Sequence, residues 1–196
     1  MSIPRFGSTE FQLVLLRRMA DFNPDLVDRA VRELGETRTS MREANRRWQA
    51  MIRSSGFPRG ARRHPEILGP PERTLRRRFG DLVCTARQWT LPLWPDLRFE
   101  VLLAPGGGAP WNEWLVRADA KTAPTPATVA ELTPWSCVVA DVAAAFPPAV
   151  PREGSAPTRS QLDFTDPQDG SRWTADFTHG LLQEVRPANS PEPQFR

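Results

Sequence analysis

The chain has no tyrosine, and only one lysine, Lys121, stands among its 26 basic residues. Two cysteines and two histidines complete the short list of scarce reactive groups in 196 residues. Without tyrosine there is no phenolic acid, base or nucleophile, and a lone lysine inside a Pro/Ala/Thr stretch matches neither a phosphate loop nor a Schiff-base site. Thiolate or imidazole can come only from Cys84, Cys137, His64 and His179, and no two of these stand at C-x-x-C or zinc-finger spacing. Pairing Cys84 with His179 would still lack a third, orienting group. These absences lead us to expect no enzyme, no metal and no cofactor.

Long apolar runs are missing too. The only one near the N-terminus, Leu13 to Leu16, is followed by Arg17 and Arg18 where a signal cleavage site would fall. No run reaches the ~18 apolar residues of a membrane span, so no membrane partner is expected. Two cysteines in separate predicted elements read as reduced, buried side chains of a cytoplasmic protein.

Arginine is what the chain has in excess, and its placement says more than its total, since arginine in place of lysine also marks a GC-rich genome. The net charge is +3 overall, but residues 1–90 carry +8 and residues 91–196 carry −5. Twelve arginines against three glutamates put +9 into residues 38–78 alone.

The periodicities predict an α+β fold: an N-terminal helical hairpin with one long helix, then a mainly antiparallel β-sheet domain with at least one helix. The expected organisation is a helical hairpin over 1–55, a basic Pro/Gly/Arg connector with a short helix over 56–80, a sheet domain over 81–186 and a tail over 187–196. A first helix runs from Ser8 to about Phe22. Asn23, Pro24 and Asp25 start a second. From Val27, the positions Val31, Leu34, Arg38, Met41, Asn45, Trp48 and Ile52 recur at heptad spacing, which predicts one continuous helix to Ser54 with a coiled-coil seam. Glu72 to Phe79 reads as a short helix. In the sheet domain, Leu82–Leu91, Leu97–Leu103 and Trp111–Ala118 read as strands, and Pro105–Pro110 as a hairpin loop. A second hairpin centres on Asp166–Gly170. A three-residue loop Thr178–Gly180 then sets Leu181 against Phe177 and Val185 against Trp173. Residues 134–146 fit a helix or a strand.

Two functions fit this layout. The first is a non-catalytic assembly or adaptor protein that self-associates or docks a protein partner. Met41, Trp48 and Ile52 on the seam would carry it, with Leu93 and Trp94, held between Pro92 and Pro95, as an exposed tip. The second is a nucleic-acid-associated protein whose guanidinium groups bind phosphate: Arg42, Arg46, Arg47, Arg53, Arg59, Arg62, Arg63, Arg73, Arg76, Arg77 and Arg78. No known nucleic-acid motif accompanies these arginines. The bland alternative to both is that the arginines meet carboxylates of the same chain. Turn chemistry explains Asp163, Asp166 and Asp169 better than a calcium loop, and Glu100 and Glu113 read as surface strand residues. Trp89, Trp111, Trp114, Trp135 and Trp173 read as packing anchors.

Overall fold

The computed structural model describes residues 6–190, which form five α-helices and eight β-strands. The α+β class holds, with helices first and antiparallel sheets after. Two compact units result, one of residues 6–20 with 24–113 and the other of residues 21–23 with 114–190. The division falls inside one strand, Pro110–Arg117. Among the described residues no helix is long and apolar enough to cross a membrane. The predicted tail from residue 191 onward lies outside the described residues.

Helix α1, Ser8–Met19, buries Phe11 through Leu16 without interruption and so is enclosed on all sides, not along one stripe. Pro24 opens α2, Pro24–Glu33, as the start signal predicted. The single long helix does not exist. The heptad spacing runs straight across a break, because α2 stops and α3, Arg38–Arg53, starts afresh. Gly35 is the cause: at φ 72° its N–H bonds the Arg32 carbonyl at 2.9 Å, while the Glu36 N–H bonds that of Val31 at 2.9 Å. Those two bonds make a Schellman motif, which satisfies the last carbonyls of α2. Thr37 then caps α3, accepting from the Ser40 N–H at 3.1 Å while Ser40 Oγ accepts from the Thr37 N–H at 2.8 Å. Positions that looked like one seam are therefore two helices lying side by side, tied by the forked Arg38–Asp28 ion pair.

The connector is more structured than its prolines and glycines implied. A 3₁₀ turn at Gly60–Arg62 leads into the short helix α4, Arg63–Leu68. The predicted helix at 72–79 is instead a strand, β1, Arg73–Phe79. It pairs antiparallel with β2, Leu82–Thr90, from Arg73↔Gln88 to Phe79↔Leu82. Between them Gly80, at φ 58°, and Asp81 form a two-residue turn. Most side chains of β1 are exposed, so it shows neither helical nor strand periodicity in apolar residues. Strands β3, Leu97–Leu103, and β4, Pro110–Arg117, complete a sheet ordered β1-β2-β3-β4.

The second unit repeats the meander with β5 (Val150–Glu153), β6 (Arg159–Thr165), β7 (Arg172–Thr178) and β8 (Leu181–Pro187), in sequence order. Residues 134–146 settle as helix α5, Val139–Ala145, preceded by an extended Val138 that bridges to Leu181. Val142 and Phe146 pack with Leu162, Phe164 and Phe177 of the sheet. The β7–β8 loop is shorter than predicted. His179 and Gly180 both take positive φ, 48° and 75°, giving a two-residue turn that opposes Thr178 to Leu181 and Phe177 to Leu182. A bulge beside Asp176 and Phe177 then brings Val185 opposite Ala175 instead of Trp173.

Gly35 and Gly180 share a left-handed backbone but not a neighbourhood. A Cβ on Gly35 would meet nothing within 4 Å, whereas on Gly180 it would stand 2.9 Å from both the Leu115 carbonyl oxygen and Trp114 Cβ. Gly35→Ala should cost about 1–2 kcal/mol for the backbone alone. Gly180→Ala should cost about 2–4 kcal/mol, because overpacking adds to the same strain. Urea denaturation of the two variants checks this, and equal losses would mean that the Gly180 turn yields.

Candidate interaction surface

The eleven candidate phosphate-binding arginines divide by what surrounds them. Arg46 pairs with Glu43 at 2.8 Å, Arg47 with Glu10 at 4.0 Å, Arg63 with Glu113 at 3.8 Å and Arg77 with Glu100 at 3.0 Å. Arg42 reaches Thr39 Oγ1 at 3.5 Å. Arg53, Arg59, Arg62, Arg73, Arg76 and Arg78 are exposed and make no side-chain bond to any described residue. Three of these six, Arg73, Arg76 and Arg78, lie on the one strand β1. Charge divides between the units as well: among the described residues the first unit holds 18 arginines against 12 acids, a net +6, and the second a net −4. Each ion pair named here joins residues of one unit, so the first unit keeps an unneutralised positive charge of its own.

The partner-binding residues expected on the seam lie elsewhere. Met41 and Trp48 are buried. Trp48 stacks on Phe6 at 5.7 Å between ring centres and meets Phe11 edge-on at 5.7 Å. Ile52 is half-buried. The Leu93–Trp94 tip is likewise folded in. The Trp94 N–H bonds the Leu91 carbonyl at 3.0 Å, the Leu93 N–H bonds Gln12 Oε1 at 2.8 Å, and Trp94 is 8% exposed. Trp111, expected as a packing anchor, is the exposed tryptophan at 53%.

What the structure does expose is the far end of the β1–β2 ribbon. Phe79 is 50% exposed, Leu82 49% and Val83 38%. Strand alternation places Leu75, Arg77 and Phe79 on one face, opposite Ala86, Cys84 and Leu82, and Thr74, Arg76 and Arg78 on the other, opposite Arg87, Thr85 and Val83. Near its base the first face is closed: Leu75 packs on Cys84, Ala86 and Leu102, and Glu100 accepts from both Arg77 and, at 2.7 Å, Gln88 Nε2. β1 is the edge strand of its sheet, and among the described residues no segment other than β2 makes a backbone bond to residues 73–79. Sequence reasoning missed Phe79, Leu82 and Val83. The signal was the Gly80-Asp81 dipeptide between Phe79 and Leu82, a two-residue hairpin turn.

Other reactive groups are committed to structure. Cys84 and Cys137 are free thiols, both buried, and burial pushes the Cys137 thiol up from its ordinary range. Asp166 and Asp169 bond the backbone N–H groups of Gln168 and Ser171 at 2.9 and 2.8 Å, as turn residues do, and Asp163 accepts from Thr174 Oγ1 at 2.7 Å. Among the described residues no three His, Cys, Asp or Glu side chains are grouped as metal ligands. A depression of about 370 Å³ is lined by Arg17, Val27, Asp28, Arg38, Met41 and Arg42, but Asp28 already neutralises Arg38.

His64 lies in an aromatic box, 5.3 Å from Phe99, 5.8 Å from Phe11, 6.0 Å from Trp89 and 6.5 Å from Trp48 between ring centres. Its Nε2 is 3.8 Å from Glu113 Oε1. Burial raises the Glu113 carboxyl above its ordinary range, opposed by the Arg63 guanidinium. A carboxyl raised by folding favours the folded state below its unfolded pKa, and that contribution disappears as pH rises through the folded pKa. Glu113→Gln cannot titrate, so its stability relative to the natural chain should rise between about pH 4 and about pH 7. Urea midpoints of both proteins at the two pH values test this, and a constant difference would contradict it.

No family model matches the chain, and no curated protein matches it. Among solved structures, a proposed beta-lactamase inhibitor protein from Streptococcus mutans aligns at 8% identity over 70% of this chain and 86% of its own, with a TM-score of 0.28. That score lies below the level of a shared fold and bears on neither fold nor function.

Proposed function

We propose that the chain is a non-catalytic cytoplasmic assembly protein that binds a protein partner through the β1–β2 ribbon of its first unit. The observation that carries this reading is the apolar cluster at the tip of the hairpin, where Phe79 and Leu82 on one face and Val83 on the other are left in water. Such a cluster costs solubility unless something covers it. Aromatic and arginine side chains together are the composition enriched in the energetic centres of protein interfaces. A non-catalytic role accords with the commitments of the carboxylates: Glu100 to Arg77 and Gln88, Asp141 to Arg117 and Asp163 to Arg152.

The polyanion reading is favoured by one observation, the three arginines of β1 that have no partner among the described residues. A photo-crosslinking amino acid in place of Leu82, incorporated in the producing cell, separates the two. Protein binding predicts a discrete adduct that survives nuclease and disappears when Phe79→Ser is added. Adducts that nuclease removes would transfer the ribbon to nucleic acid, and the absence of any adduct would sink both readings.

A further inference from the structure

The chemistry of β1 also indicates what kind of chain it would receive. An edge strand leaves half of its backbone N–H and C=O groups pointing away from its only neighbour, and natural sheets shield such edges with charge, proline, bulges or a cover. β1 has seven residues, no proline and a regular register with β2 over its whole length. Its protection is charge: Arg73, Arg76, Arg77 and Arg78. A second copy of the strand is poorly suited to pair there. In every antiparallel two-fold register that overlaps six or seven residues at least one arginine stands directly opposite another: Arg73 and Arg78, Arg76 and its own copy, or Arg76 and Arg77.

A strand of opposite charge meets no such obstacle. On the face of Arg76 and Arg78 an added strand would present carboxylates to two guanidinium groups that have no partner among the described residues. On the opposite face Arg77 is already bound to Glu100, so beyond Arg73 at the beginning of the strand the incoming residues would meet Leu75 and the exposed Phe79 and should be apolar. We infer that β1 is a docking edge for an extended segment of a partner protein in which acidic and apolar residues alternate, added to the sheet beyond β1. Backbone hydrogen bonds would supply affinity, and the two-residue alternation would supply selectivity. This rests on the ribbon being a protein-binding site. A nucleic acid would use the arginines and could stack a base on Phe79, but it would leave the free backbone edge unpaired.

Fluorescein-labelled peptides of defined pattern test it on the whole chain by anisotropy. The probe is five Glu-Val repeats, and the controls are five Glu followed by five Val, five Lys-Val repeats, and a twenty-nucleotide oligothymidine. The alternating acidic peptide should bind at least tenfold more tightly than either peptide control. Arg76→Glu with Arg78→Glu should weaken it at least tenfold, and the amides of residues 73–79 should exchange more slowly when it is bound. Both arginines are exposed and bond no described residue, so the double variant should keep the circular dichroism spectrum of the natural chain. Any of these results would overturn the inference: no binding of the alternating peptide at about 1 mM, equal binding of the block peptide, or unchanged exchange in residues 73–79. Tighter binding of the oligothymidine, lost in the double variant, would overturn it in favour of phosphate. If Leu82 adducts that survive nuclease still form and still depend on Phe79 in any of these cases, the ribbon remains a protein-binding site and only strand addition falls.

Discussion

Trp48→Ala is expected to remove about 3–5 kcal/mol from the stability of the first unit, a large share of the roughly 5–15 kcal/mol that holds a domain folded. The indole is 8% exposed, and four aromatic rings surround it: Phe6, Phe11, Phe57 at 6.1 Å and His64. Removing it deletes a large apolar area and leaves a cavity whose walls belong to α1, α3, α4 and the loops before and after the helices. Two roles for this residue are thereby separated. An interface tryptophan on a free helix face would, on truncation, weaken association and leave the isolated chain's melting unchanged. A core tryptophan lowers melting whether or not a partner is present. Ile52→Ala, one turn further along α3 and half-buried, should cost less than half as much. Urea denaturation followed by circular dichroism decides, and a Trp48→Ala midpoint equal to that of the natural chain would return the residue to the surface.

The reason Trp48 could be read as a seam residue is that heptad spacing and two separate helices satisfy the same apolar positions. Val27, Val31, Met41 and Trp48 are all buried, so the spacing identified the right residues. What it could not convey is that Gly35 and Thr37 turn the chain between them, a local capping event invisible to periodicity. The start of α2 at Pro24, the β2 and β3 strands and the β6–β7 hairpin were legible because each joins a turn signal to an apolar pattern. β1 was not legible. Its arginines mask the alternation of Leu75 and Phe79, and a strand exposed over most of its length has no buried face to announce it. The interaction surface was half legible. Charge counting found Arg73, Arg76 and Arg78 within the basic stretch, but only the fold tells these from Arg46, Arg47, Arg63 and Arg77, whose carboxylate partners lie 3, 37, 50 and 23 positions away in the chain. Trp94 and Trp111 exchanged roles for a similar reason. Prolines on both sides of Trp94 suggested a projecting tip, yet the segment turns on the Trp94 N–H to Leu91 and Leu97 N–H to Trp94 bonds, and the ring is buried.

Asp141→Ala is expected to cost about 3–5 kcal/mol in the second unit, because it strands a charge rather than removing a bond. Asp141 Oδ2 accepts from Arg117 Nε at 2.9 Å and from the Val138 N–H at 2.9 Å, at the start of α5. Arg117 also donates from Nη2 to the Ser136 carbonyl at 2.8 Å. The Arg117 side chain is 15% exposed and that of Asp141 3%, so the guanidinium would lose its counter-charge where water reaches it poorly. The Val138 N–H would lose its acceptor as well. Asp141→Asn keeps an oxygen for that N–H and should fall between the natural chain and Asp141→Ala. Arg117→Met added to Asp141→Ala removes the stranded charge and should recover part of the loss, since an apolar pair of similar volume often replaces a buried ion pair without penalty. The double-mutant cycle on urea midpoints reads this directly. If the losses of the two single variants simply add, the pair is uncoupled, and α5 is held in place by Val142 and Phe146 alone.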